Sequence, residues 1–159
     1  DRAHAYLLRV MRADHALVAI GPEGDLLGIA GFKTPHGSFA GGSSADLGAV
    51  YGRIGGFWRG TLLRLLGGEV DNDRFLIDGI CVIRTARGQG IGTRLIEALC
   101  QEGAERGYGA VRLDVIDTNW RARALYERCG FRALGTHRLG LLRLVFGFAS
   151  ATTMVRPVA

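Results

Sequence analysis

Arg87-Gly88-Gln89-Gly90-Ile91-Gly92 has the composition of an anion-binding turn. Glycines let the backbone approach a ligand closely with its N–H groups pointing outward, and a helix starting there adds partial positive charge, so phosphate oxygens are the natural guest. The elements that must position this turn can be read on either side of it. Phe75 to Ile83 is an apolar, β-branched run bounded by polar residues, the pattern of a strand covered on both faces. After the glycines, Ile91, Leu95, Ala98 and Leu99 share one face of a helix ending near Arg106-Gly107. The hydrophobic period therefore changes from about 2 to about 3.6 across the turn. Neither common phosphate motif fits. A P-loop needs a lysine that does not follow Gly92, and the glycine order differs from the Gly-x-Gly-x-x-Gly of dinucleotide sites.

A second block lies downstream. Val111 to Asn119 reads as another strand, and Gly107-Tyr108-Gly109 turns the chain back, so strand, helix and strand form a right-handed crossover joining two parallel strands. It is followed by Asn119-x-x-Ala122-x-x-Leu125-Tyr126-x-x-x-Gly130-Phe131. Together the two blocks resemble the GNAT acetyltransferase superfamily. Arg87, Gly90 and Gly92 fill its pyrophosphate-loop pattern Gln/Arg-x-x-Gly-x-Gly/Ala, and the second block matches the other family signature almost position for position. The resemblance is specific from about Arg74 to Phe131 and weaker on both sides.

The resemblance implies an α/β (α+β) fold in which a mixed central sheet, flanked by helices, has two parallel central strands that splay apart and admit acetyl-CoA. The backbone of Cys81, Val82 and Ile83 would bond the pantetheine arm, and the amides of Arg87, Gly88, Gln89, Gly90, Ile91, Gly92 and Thr93 would hold the pyrophosphate. Arg87 either pairs with phosphate or fixes the loop. Asn119 matches a cofactor contact, and capping the following helix is a compatible role. Tyr126 matches the general acid for the leaving thiolate, with a core tyrosine as the alternative. Asp78, in an otherwise apolar strand, is the candidate base if burial raises its pKa; a structural aspartate beside a water chain is the other reading. Trp120 stands where the family often has proline. The implied function is acetyl-CoA-dependent N-acetyl transfer to a primary amine of a small molecule or protein, without metal; the alternative is an acetyl-CoA sensor without turnover.

Composition narrows the field further. A chain of 159 residues suits one domain, taken as 1–159. Its net charge of +5 rests almost wholly on arginine, Lys33 being the single lysine. The arginines are scattered, with no aromatic-interleaved basic stripe, so no nucleic-acid partner is expected, and coenzyme A is itself polyanionic. Cys81, Cys100 and Cys129 suggest neither zinc nor a disulfide framework; Cys81 in the strand and Cys100 on the helix are expected as small core residues, and a reducing cytoplasm fits. No signal peptide or membrane-spanning run is apparent.

Along the remaining chain, Asp1 to Arg12 reads as a short amphipathic helix, and the strand and helix with which the family usually opens are not found ahead of it. Ala16 to Ile20 and Leu26 to Phe32 flank Gly21-Pro22-Glu23-Gly24 as an antiparallel hairpin, and Lys33 to Ser43 reads as loop, His36 included. Ser44 to Leu66 reads as a glycine-rich helix, serving as core, substrate-side lid or homodimer face. Strands are expected over Arg132 to Arg138 and Ala151 to Pro157. The apolar stretches Ala45 to Leu66 and Leu139 to Phe148 are expected to pack together over the acceptor side of the pocket.

Overall fold

The computed structural model describes residues 10–39, 73–140 and 147–158. The expected helix from Ser44 to Leu66 and most of the N-terminal helix and of the 139–148 stretch lie outside the described residues, and with them the packing expected between the two apolar stretches.

The hairpin forms as read. β1 (Ala16–Ile20) pairs antiparallel with β2 (Leu26–Thr34), and the turn between them needs a glycine at position 24, where φ is +85°. A two-residue strand, β3 (Gly37–Ser38), folds back on β2 within the expected loop. β4 (Phe75–Val82) lies on the other side of β2. α1 (Ile91–Glu105) crosses over to β5 (Ala110–Ile116), which runs parallel to β4. α2 (Trp120–Arg128) leads to β6 (Arg132–Arg138), and β7 (Ser150–Pro157) inserts between β5 and β6. The result is a seven-stranded mixed sheet in the order β1-β2-β4-β5-β7-β6, with β3 beside β2.

β4 departs from the expected strand, which was to be covered on both faces. Gly31 pairs with Gly79 and Phe32 with Ile77, so Asp78 is an extra residue, a β-bulge. A bulge shifts the side-chain alternation by one residue. Phe75 and Ile77 are buried before it; after it, Ile80 and Val82 are half-buried while Asp78, Gly79 and Cys81 are exposed. Cys81 is thus no core cysteine, unlike the buried Cys100 and Cys129. β5 ends at Ile116 rather than Asn119, because Asp117 to Asn119 turn into α2.

The core lies between α1 and the sheet. Phe32, Phe75, Ile96, Leu99, Val111, Leu113 and Met154 are its largest fully buried side chains. On α1 the buried stripe is Ile91, Leu95, Ile96, Leu99, Cys100 and Gly103, which centres it near Leu99 and leaves Ala98 exposed, contrary to expectation. Gly103 is required by proximity: a Cβ there would sit 3.1 Å from both Phe75 Cβ and Val111 Cγ2. We expect Gly103→Leu to lower stability by about 1–3 kcal/mol through overpacking, despite leucine's better helix propensity. Chemical denaturation tests this, and an undiminished midpoint would show that the helix lifts off the sheet at no cost.

Candidate active site

The glycine-rich turn is built by short local bonds. After β4 a single 3-10 turn, Arg84–Ala86, carries the chain round, with the Ala86 N–H donating to Ile83 O at 3.1 Å. Gly88 (φ +80°) and Gly90 (φ +76°) adopt left-handed backbone, open to glycine at little cost. Arg87 Nε donates to Val82 O at 3.1 Å and Gln89 Nε2 to Thr85 O at 3.3 Å, so both side chains brace the loop. Gly90 caps α1 without a side-chain acceptor, and no acidic residue occupies the first turn. The N–H groups of Ile91, Gly92 and Thr93 have no preceding helical carbonyl, which leaves them for an outside acceptor.

Beside this turn the sheet opens. β4 and β5 pair only at Phe75 with Val111 and Leu76 with Arg112, then part. The Ile83 N–H donates to Leu27 O at 2.9 Å, on the β2 side. Peptide groups alternate between the two edges of a strand, so Cys81 also addresses β2, and Ile80 and Val82 turn their N–H and C=O groups toward the open edge.

α2 forms the opposite wall. Asn119 Oδ1 accepts from Ala122 N–H at 3.3 Å, the N-cap that the sequence allowed. Just before it, Asp117 accepts from the N–H groups of Ala149 and Ser150 and from Ser150 Oγ, fastening this turn to the start of β7. At the other end, Gly130 (φ +84°) donates to Glu127 O and Phe131 N–H donates to Tyr126 O, both at 3.0 Å. This is a glycine C-cap. Its usual apolar contact is here between the rings of Tyr126 and Phe131, 6.2 Å apart. The Gly130-Phe131 pair therefore fixes the tyrosine.

Loop, β4 edge and α2 enclose a cleft of about 640 Å³, within the usual range for small-molecule sites. Of the residues anticipated from sequence, Cys81, Val82, Arg87, Gly88, Gly90, Ile91, Gly92, Thr93, Asn119 and Tyr126 line it. Gln89 and Ile83 are not among the lining residues. Nor is Asp78, whose carboxylate accepts from Ser38 Oγ at 2.6 Å in an exposed position. The burial expected of Asp78 is absent, because the bulge presents the residue outward. Ile80, Leu125, Arg121 and Arg128 line the cleft without having been singled out for it; the i, i+4, i+7 spacing of 121, 125 and 128 was the available signal. Tyr126 is half-buried, and burial, assisted by the nearby Cys129, raises its pKa above the usual value. The phenol is held in its protonated, donating form.

The lining fits a polyanionic ligand: among the described residues it offers Arg87, Arg121, Arg128 and outward amides, and no carboxylate. Residues 3–131 match the description of the Acetyltransferase (GNAT) family. The chain belongs to the GNAT acetyltransferase family. Solved structures share its fold. A nourseothricin acetyltransferase superimposes with a TM-score of 0.61 at 24% identity, the match covering 91% of this chain and 65% of that one. This GNAT chain thus spans less than two thirds of that relative's length. The ribosomal-protein-S18-alanine N-acetyltransferase from Escherichia coli superimposes with a TM-score of 0.59 at 20% identity, covering 99% and 76%. A Bacillus subtilis acetyltransferase in complex with CoA gives 0.61 at 11% identity, covering 91% and 78%. Among the described residues of this GNAT domain, no three His, Cys, Asp or Glu side chains gather as a metal site, and no helix is long and apolar enough to cross a membrane.

Asn119→Ala removes the α2 cap and should cost about 0.5–2 kcal/mol. Urea denaturation reads this directly; a loss below that range would mean that Asp117 and the C-cap hold the helix unaided.

Proposed function

We propose that this GNAT domain is an acetyl-CoA-dependent N-acetyltransferase acting on a primary amine of a small molecule or protein. The observation that carries the reading is the presence, on one cleft, of outward amides at a helix N-terminus and a half-buried phenol held in its acid form. Acetyl-CoA, when bound, supplies an acetyl group activated as a thioester. The N–H groups of Gly88 and of Gly90 to Thr93 bind phosphate oxygens, with the α1 dipole favouring the negative charge. Ile80 and Val82 orient the extended arm from the open edge of β4, with Cys81 beside it; the Val82 carbonyl already accepts from Arg87. Asn119 sets the wall from which Tyr126 points. Tyr126 donates its proton to the departing thiolate, so that charge does not build on sulfur. The amine proton leaves through water, and Asp78, exposed at the bulge outside the cleft lining and bonded to Ser38, is the side-chain candidate to receive it from that water.

Replacing Gly90 by valine forces a β-branched residue into left-handed backbone and places a side chain beside the amides. Calorimetry should show acetyl-CoA binding lost while the circular dichroism spectrum stays folded; unchanged affinity would remove the loop from the site.

Tyr126→Phe keeps the ring against Phe131 and removes the donor. In an assay of thiol release across a panel of amines, kcat should fall about 10²-fold, and acetyl-CoA affinity should change little, since one hydroxyl contributes only about 0.5–1.5 kcal/mol. The raised pKa fixes the sign of the pH dependence. Stabilisation by the neutral phenol is complete below its unfolded value of about 10 and is lost as pH rises through the higher folded value. No alkaline decline in wild-type kcat below about pH 10 should therefore trace to Tyr126. Tight binding of acetyl-CoA with no thiol release for any amine would instead assign the domain to sensing.

A further inference from the structure

α2 opens with Trp120-Arg121, a pair that local rules disfavour. A cation at the start of a helix opposes the dipole, and the first turn of α2 contains no acidic residue to offset it. The Trp120 indole is 66% exposed. Its ring lies under the Arg121 guanidinium, whose carbon is 5.1 Å from the ring centroid. Arg121 lines the cleft and forms no ion pair among the described residues. A large ring kept in solvent and a cation placed against a dipole are both costly, and both make sense together if the ring holds the guanidinium ready for an anion.

The other arginines of the cleft are differently placed. Arg87 has given its Nε to the Val82 carbonyl. Arg128 lies at the far end of α2, about 10 Å along the axis from Arg121 and beyond Tyr126. Of the two arginines on α2, Arg121 is therefore the one farther along the helix from the phenol. Coenzyme A carries, besides its pyrophosphate, a third phosphate on the ribose, at the end remote from the thioester. We propose that Arg121, positioned by Trp120, binds this 3′-phosphate and makes the domain select the phosphorylated donor over its 3′-dephospho form. This rests on the acetyl-CoA reading of the same cleft.

The test is a comparison of CoA with 3′-dephospho-CoA by calorimetry on the wild-type domain and three variants. Wild type should bind CoA about tenfold more tightly, the scale of one charge-assisted hydrogen bond at an accessible site. In Arg121→Gln the ratio should collapse to about one while dephospho-CoA affinity is retained. Trp120→Ala should lower the ratio part-way and Trp120→Phe restore it, a pattern that a merely structural tryptophan would not give. A wild-type ratio near one, or an Arg121→Gln variant weakened equally toward both ligands, overturns the subsite while leaving the acetyl-CoA reading intact. Wild-type protein that binds neither ligand overturns both.

Discussion

The site depends on two parallel strands that stop pairing after two residues each. Beyond Phe75-Val111 and Leu76-Arg112, β4 and β5 have no ladder between them, and a ladder abandoned in a sheet interior leaves backbone donors and acceptors open. Each strand is held apart by its other neighbour. β5 is paired with β7 along its whole length, from Ala110-Pro157 to Ile116-Ala151. β4 follows β2, and the bulge at Asp78 bends it just where the parting begins. The open edge of Ile80 and Val82 is thus a product of commitments made elsewhere in the sheet, and an extended ligand arm can complete it.

What faces that edge is set by helix termini more than by side-chain chemistry. α1 begins at a left-handed glycine, which turns its first amides toward the cleft, and α2 is fixed at both ends, by Asn119 and by Gly130. The C-cap is informative because it joins a sequence pattern to a position. Tyr126 occupies the third residue from the helix end, so its carbonyl receives Phe131 N–H and its ring meets the Phe131 ring. A residue whose backbone and side chain are both engaged has little freedom to wander. That constraint is what a proton donor needs if its hydroxyl is to meet one sulfur atom.

Where pattern and local chemistry coincide, the sequence was enough. β6 runs from Arg132 to Arg138 as read, β7 begins one residue early, and the hairpin follows its turn residues. The glycine loop and the capping asparagine were legible because glycine and asparagine have few conformational reasons to stand where they do. The bulge was missed because Phe75 to Ile83 was read as one continuous strand although Asp78-Gly79 interrupts it and a glycine within a strand is itself a bulge signal, so Cys81 was assigned to the core and Asp78 to a burial it does not have. Edge direction was hidden for a related reason, since which peptide groups of β4 face outward depends on the partner register. Ile83, tied to Leu27, shows how pairing removes a backbone group that sequence alone would leave available.

The charge of the domain has the same logic. Arg12, Arg106, Arg123 and Arg156 pair with Asp14, Glu102, Glu127 and Glu97, at positions where exposed pairs contribute little to stability. Arg87, Arg121 and Arg128 form no such pair among the described residues, and all three line the cleft, where no described carboxylate accompanies them. A formal charge of +5 spread evenly would say little about function. What bears on the site is local: three arginines and no described carboxylate line the cleft, which gives the opening between β4 and β5 a positive potential that draws in an anion before any specific contact forms.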